Sequence, residues 1–153
     1  MVRAVLLSLS VIWSVSSPAF TEQTCKPVVG HFEALVLPPE QCPAILCTVG
    51  RVWGGLQGTY QFTMTTLDNS VAVPSIQFFT GDSKVTTKGG DLVHGTDTGS
   101  IDLGPNGGFA SLITFNGGTG AYANATGQIR LRGQLDMVEG TTTGDYIGAI
   151  CTP

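Results

Sequence analysis

The sequence predicts an all-β domain closed into an antiparallel up-and-down barrel, and three observations carry that expectation. Apolar and polar residues alternate with a period of two along short runs, as where Tyr60, Phe62 and Met64 interleave with Thr59, Gln61, Thr63 and Thr65. Turns bearing glycine or proline break these runs at short, regular intervals. Beyond the N-terminal apolar run, no segment holds a helical pattern for ten residues. Short connections make sequence neighbours spatial neighbours, which favours a barrel over a sandwich.

The N-terminus stands apart from that domain. Met1-Val2-Arg3 is a short basic start, residues 4–15 are apolar, and Ser17-Pro18-Ala19 places small residues where a signal peptidase reads. The apolar run is too short to span a bilayer comfortably. Residues 1–19 are therefore expected to be a signal peptide, and residues 20–153 a single barrel domain of a secreted or periplasmic protein.

The strands follow in order. The first, residues 28–37, stops at Pro38-Pro39, which cannot continue a central strand. The second, 46–53, is broken by Gly54-Gly55, and the third, 58–67, by the turn Asp68-Asn69-Ser70. Residues 73–80 make a fourth, ended by Gly81-Asp82, and 84–87 a short fifth before Gly89-Gly90-Asp91. Residues 92–103 follow, with Gly95 and Gly99 as points where a barrel strand bends. After the turn 104–108 come residues 109–115 and then Gly117, Gly118 and Gly120, read as left-handed residues of a tight hairpin. Residues 126–137 alternate Ile129, Leu131 and Leu135 with Gln128, Arg130, Arg132 and Gln134, and 145–151 close the chain.

Composition excludes several classes. The net charge is −4, and cleavage of the leader would remove Arg3 and make the chain more acidic. Lys26, Arg51, Lys84, Lys88, Arg130 and Arg132 are scattered, so no basic patch suits nucleic acid. Four cysteines in an exported chain point to disulfides, with three possible connectivities. A closed sheet sets the first strand beside the last, which favours Cys25–Cys151 and leaves Cys42–Cys47. Their spacing fits no zinc site, and His31 and His94 lie far from it in sequence. No Gly-x-Ser-x-Gly elbow is present, and Asp82, Asp91, Asp97 and Asp102 fall in what read as separate turns without calcium-loop spacing.

The run Phe115-Asn-Gly-Gly-Thr-Gly-Ala-Tyr-Ala-Asn-Ala-Thr-Gly-Gln-Ile-Arg-Leu131 resembles the allene oxide cyclase and dirigent-protein superfamily. Gly117, Gly118, Thr119, Gly120, Tyr122, Gly127, Ile129 and Leu131 carry the likeness. Gly58-Thr-Tyr-Gln-Phe-Thr63 and Asp97-Thr-Gly-Ser-Ile-Asp102 look like two more strands of the same arrangement. The chain also looks like small exported bacterial proteins of that superfamily. The resemblance implies an eight-stranded, calycin-like barrel with an apolar cavity, assembled as a homodimer or homotrimer. It implies a small apolar or phenolic ligand: the cyclases steer ring closure of an epoxide, and dirigent proteins steer coupling of phenoxy radicals. Both work by proximity and shape, and neither needs a metal or organic cofactor.

Glu33 is the candidate catalytic residue, because it resembles a first-strand glutamate that lies in the cyclase cavity and stabilises positive charge. Two residues on, where the cyclases carry asparagine, stands Leu35, which leaves their water-holding pair incomplete. Tyr60, Phe62 and Met64 are the candidate ligand-binding wall; the alternative is ordinary core packing. Arg51 and Trp53 are expected outside, side by side. Asn124-Ala-Thr126 is a glycosylation acceptor that a strand position would hinder. Three functions follow: a ligand-binding barrel with cyclase- or dirigent-like steering, a non-catalytic binding or structural module with a filled barrel, and an adhesion or inhibitor domain acting through the loop 38–47.

Overall fold

The period-two alternation becomes the wall of a closed barrel in the computed structural model, which describes residues 22–104 and 107–153. The expected signal peptide lies outside the described residues. The strands are β1 (Thr24–Val36), β2 (Leu46–Gly54), β3 (Gly58–Asn69), β4 (Ile76–Thr87), β5 (Leu92–Asp102), β6 (Gly108–Gly118), β7 (Thr126–Asp136) and β8 (Thr141–Thr152). Each pairs antiparallel with its sequence neighbour, and β1 pairs with β8 to close the sheet. Full closure leaves no strand edge to be satisfied from outside.

Closure also explains the disulfides. Cys25 and Cys151 are register partners across β1 and β8, and they are bonded. Cys42–Cys47 staples the loop after β1 to the start of β2. Both expected pairings hold. The first closes a loop of sequence separation 126; in the chain-entropy account that is worth on the order of 4–5 kcal/mol.

Two expected breaks are absent or differ. Gly81-Asp82 does not end a strand: β4 runs through it, uniting the fourth and fifth expected runs. Gly81 faces inward, and the Phe62 ring occupies the space its side chain would fill. Directly across, a bulge between Met64 and Thr66 bends β3. It inserts Thr65, so that inward positions change from even (Tyr60, Phe62, Met64) to odd (Leu67). The hairpin between β6 and β7 is not tight. Residues 119–125 form a longer connection around a 3-10 turn, Gly120–Tyr122. Gly117 and Gly120 are left-handed, with φ of 141° and 52°. Gly118 is not; it ends β6, packed against Leu92 and Tyr122 where a side chain has no room.

The barrel has two unlike ends. Residues 37–45, 70–75, 103–104, 107 and 137–140 share one; 55–57, 88–91, 119–125 and the described chain ends share the other. Leu56 plugs the second end and is 1% exposed. The Tyr146 hydroxyl secures it by accepting from the Leu56 N–H at 2.8 Å, with the Trp53 and Leu56 carbonyls at 3.0 and 3.2 Å to receive its proton.

Candidate functional site

The interior is filled by aromatic rings laid over inward glycines. Phe62 covers Gly81, Phe109 covers Gly133, Phe32 covers Gly144 and Tyr146 covers Gly30. A Cβ at any of these positions would collide with the ring or with a neighbouring carbonyl. Phe32 and Tyr60 pack with ring centres 5.5 Å apart, and Phe62 meets Phe79 edge-on at 5.7 Å. Tyr60, Phe62 and Met64 are all buried inside the barrel.

A short polar row crosses this apolar interior. Ser83 on β4, Asp97 on β5 and Ser111 on β6 each lie directly opposite a glycine of the adjoining strand: Gly95, Gly81 and Gly99. The missing side chains leave room for each polar group to reach diagonally, within the range of cross-strand neighbours two residues apart. Ser83 Oγ donates to Asp97 Oδ2 at 3.1 Å, and the Tyr60 hydroxyl lies 3.2 Å from Ser83 Oγ; with the serine proton directed to Asp97, Tyr60 is left as the donor of that pair. The row ends without completion. Asp97 Oδ1 and Ser111 Oγ are buried and make no hydrogen bond of sound geometry, although Ser111 faces the carboxyl.

Burial dominates the electrostatics of this row. Asp97 is 2% exposed. Desolvation pushes its carboxyl above the usual carboxylate range, and the Ser111 and Ser83 hydroxyls only partly oppose this. Burial, reinforced by the nearby Asp97 charge, likewise pushes the Tyr60 phenol up against the opposing effect of Ser83. Burial in this row therefore favours the neutral form of the Asp97 carboxyl.

Little space surrounds it. Asp97, Ser111 and Tyr60 adjoin an interior cavity of about 50 Å³ among Phe32, Phe62 and Phe79. A second void of about 20 Å³ lies towards the Leu56 plug. A void of about 10–15 Å³ of this kind suffices for one water, so these two spaces have room for a few waters and are too small for a drug-sized ligand. The larger space is outside: an open groove of about 1090 Å³ across β1 and β4 to β8. Val29, Leu112, Phe78 and Ile147 supply its apolar surface, and Arg130, Arg132 and Asp145 its charges. Register sets this pattern, aligning Val29, Ile147, Arg130 and Leu112 across four neighbouring strands.

The other expected site residues separate. Glu33 is exposed on the outer face, because Phe32 and Ala34 take the inward positions of β1. This corrects the expected place in a cavity, and Leu35, 60% exposed, shares the outer face. His31 is also outside, stacked on Trp53 at 4.8 Å; Arg51 is exposed on the same face of β2. His94 Nδ1 meets Asn116 Oδ1 at 2.7 Å on the outer surface. Asp82 and Asp97 lie within strands, not turns. Asn124 lies in the connection 119–125 rather than in a strand, exposed, with a φ of 58°. Among the described residues, no three histidine, cysteine or carboxylate side chains converge as metal ligands.

No protein-family model and no curated protein matches the sequence. Four chains of known structure match the fold. One is the pterocarpan synthase dirigent protein GePTS1, 13% identical, with a TM-score of 0.50 over 88% of each chain. The chain therefore has a dirigent-like barrel fold.

Proposed function

We propose that the protein is a secreted, non-catalytic binding module whose interior is a packed core and whose partners are met from outside. The observation that carries this reading is the interior volume. Voids of about 50 and 20 Å³ fall far below the roughly 300–1,000 Å³ of small-molecule sites. The N-terminal signal pattern and the two disulfides support export to an oxidising compartment. The outer groove is the place for a small apolar or phenolic ligand, or for the neighbouring copy in a homodimer or homotrimer. Its Val29, Leu112 and Ile147 surface would take the apolar part, and Arg130 a phenolate oxygen. The test is methyl chemical-shift mapping with simple phenols. Shifts at Val29, Leu112 and Ile147, with Val93, Ile113 and Leu131 unmoved, are expected; shifts confined to those three interior residues would sink the reading.

A second reading rests on the unpartnered Asp97 Oδ1 and Ser111 Oγ. Buried polar atoms without partners signal a missing group, and a buried carboxyl whose neutral form is favoured is suited to donate a hydrogen bond or proton. If the aromatic packing opens to admit a small molecule, Asp97 would stand where it could steer a cyclisation or coupling, as in an isomerase. Uptake of a phenol that Tyr60→Trp abolishes would favour this second reading over the first.

A further inference from the structure

We propose that the end of the barrel formed by the connecting residues 37–45, 70–75, 103–104 and 137–140 docks a basic, amphipathic polypeptide segment. This rests on the reading that partners are met from outside. Exposed apolar side chains are concentrated there. Ile45, Val71, Val73, Leu103, Met137 and Val138 are between 47% and 105% exposed, and all six lie in these connections. The connections of the opposite end present no large exposed apolar side chain among the described residues; their Leu56 is turned inward as the plug. Apolar tips gathered at one end and absent from the other are the mark of an interaction surface, not of scattered exposure.

Charge selects the partner. Glu40, Asp68, Asp102, Asp136 and Glu139 sit in these connections or at the strand ends that enter them. No lysine or arginine occurs in those connections or in the two residues flanking each of them. The basic residues Lys26, Lys84 and Lys88 lie toward the other end. An acidic, apolar surface attracts a partner that is apolar and cationic, and repels an anionic lipid surface. A second copy presenting its opposite end would bring lysines but no exposed apolar side chains to match. A polypeptide segment meets both needs, because one face can carry its apolar residues and the flanks its lysines and arginines. The Cys42–Cys47 bond fixes one of the four connections in advance, which lowers the ordering cost of binding.

The test is fluorescence anisotropy of labelled synthetic amphipathic helices, titrated with the full disulfide-bonded chain. A peptide of leucine and lysine is expected to bind, more weakly as salt rises, and its leucine–glutamate counterpart is not. Val138→Ser with Met137→Ser should weaken binding about tenfold or more, a loss of roughly 1.4 kcal/mol or more. Val71→Ser should act in the same direction, and Lys88→Glu, at the other end, should leave affinity unchanged. These tips are exposed, so unchanged thermal melting would show that the variants fold. Equal binding of both peptides, no binding, or indifference to the serine variants would overturn the proposal. So would stronger capture by phosphatidylcholine vesicles, or self-association abolished by Val138→Ser. Failure of the peptide with no small molecule inside the barrel sinks this proposal alone; a small molecule found there sinks the reading beneath it.

Discussion

Asp97 is the residue at which packing and chemistry pull apart. Its carboxyl sits inside an apolar barrel with one hydrogen-bonded oxygen and one bare one. Its raised pKa means that the folded chain holds a proton the unfolded chain releases above about pH 4. The stability this proton contributes is complete below the unfolded value and is lost as pH rises through the folded one. Melting temperature should therefore fall as pH rises, and Asp97→Asn, neutral throughout, should fall less, so the gap widens with pH. Asp102 acts in the opposite sense, because the Gly104 N–H, and secondarily Ser75, hold its carboxyl below the usual range. It is common to both proteins, so the comparison cancels it; parallel melting profiles would refute the role given to Asp97. This residue was legible in advance. Val93, Gly95, Asp97, Gly99 and Ile101 share one phase of β5, and its apolar ends mark that phase as inward. What hid it was the reading of Asp82, Asp91, Asp97 and Asp102 as turn residues.

At the scale of the element, period two found the strands, but glycine misled at their ends. Gly81 was legible as a break, since glycine weakens strands. It serves instead as the recess into which Phe62 packs opposite the β3 bulge. Gly81→Ala should then overpack the wall and cost about 1–3 kcal/mol. Gly90→Ala is the control: nothing lies within reach of its added methyl, and its only penalty is the left-handed backbone, with a φ of 89°. Denaturant unfolding decides between them, and equal losses would deny the packing role. The place of Glu33 was legible in part. Over residues 28–36, Val28, Gly30, Phe32, Ala34 and Val36 make one phase of β1 wholly apolar, whereas Val29, His31, Glu33 and Leu35 mix apolar with charged or polar, so alternation already favours Glu33 outside. The exposed Val29 and Leu35 blurred that signal, and pairing with β2 and β8 fixes the phase.

For the molecule as a whole, closure was the most legible property. Short connections implied neighbour pairing, neighbour pairing implied β1 against β8, and that placed Cys25 beside Cys151. The filling of the interior was not legible. Volume depends on how rings nest over glycines across strands, as Phe32 does over Gly144 and Tyr146 over Gly30. Nor was the polarity of the two ends visible until the connections were assigned to one end or the other. The central claim is that this barrel is a packed scaffold that meets its partners from outside. Native mass spectrometry of the protein purified from its native source tests it most directly. The account predicts a chain that begins at residue 20, four hydrogens lighter than its reduced form for the two disulfides, with no retained small molecule that depends on the interior residues Tyr60 and Asp97. A retained small molecule that is lost in both Tyr60→Trp and Asp97→Asn would contradict it.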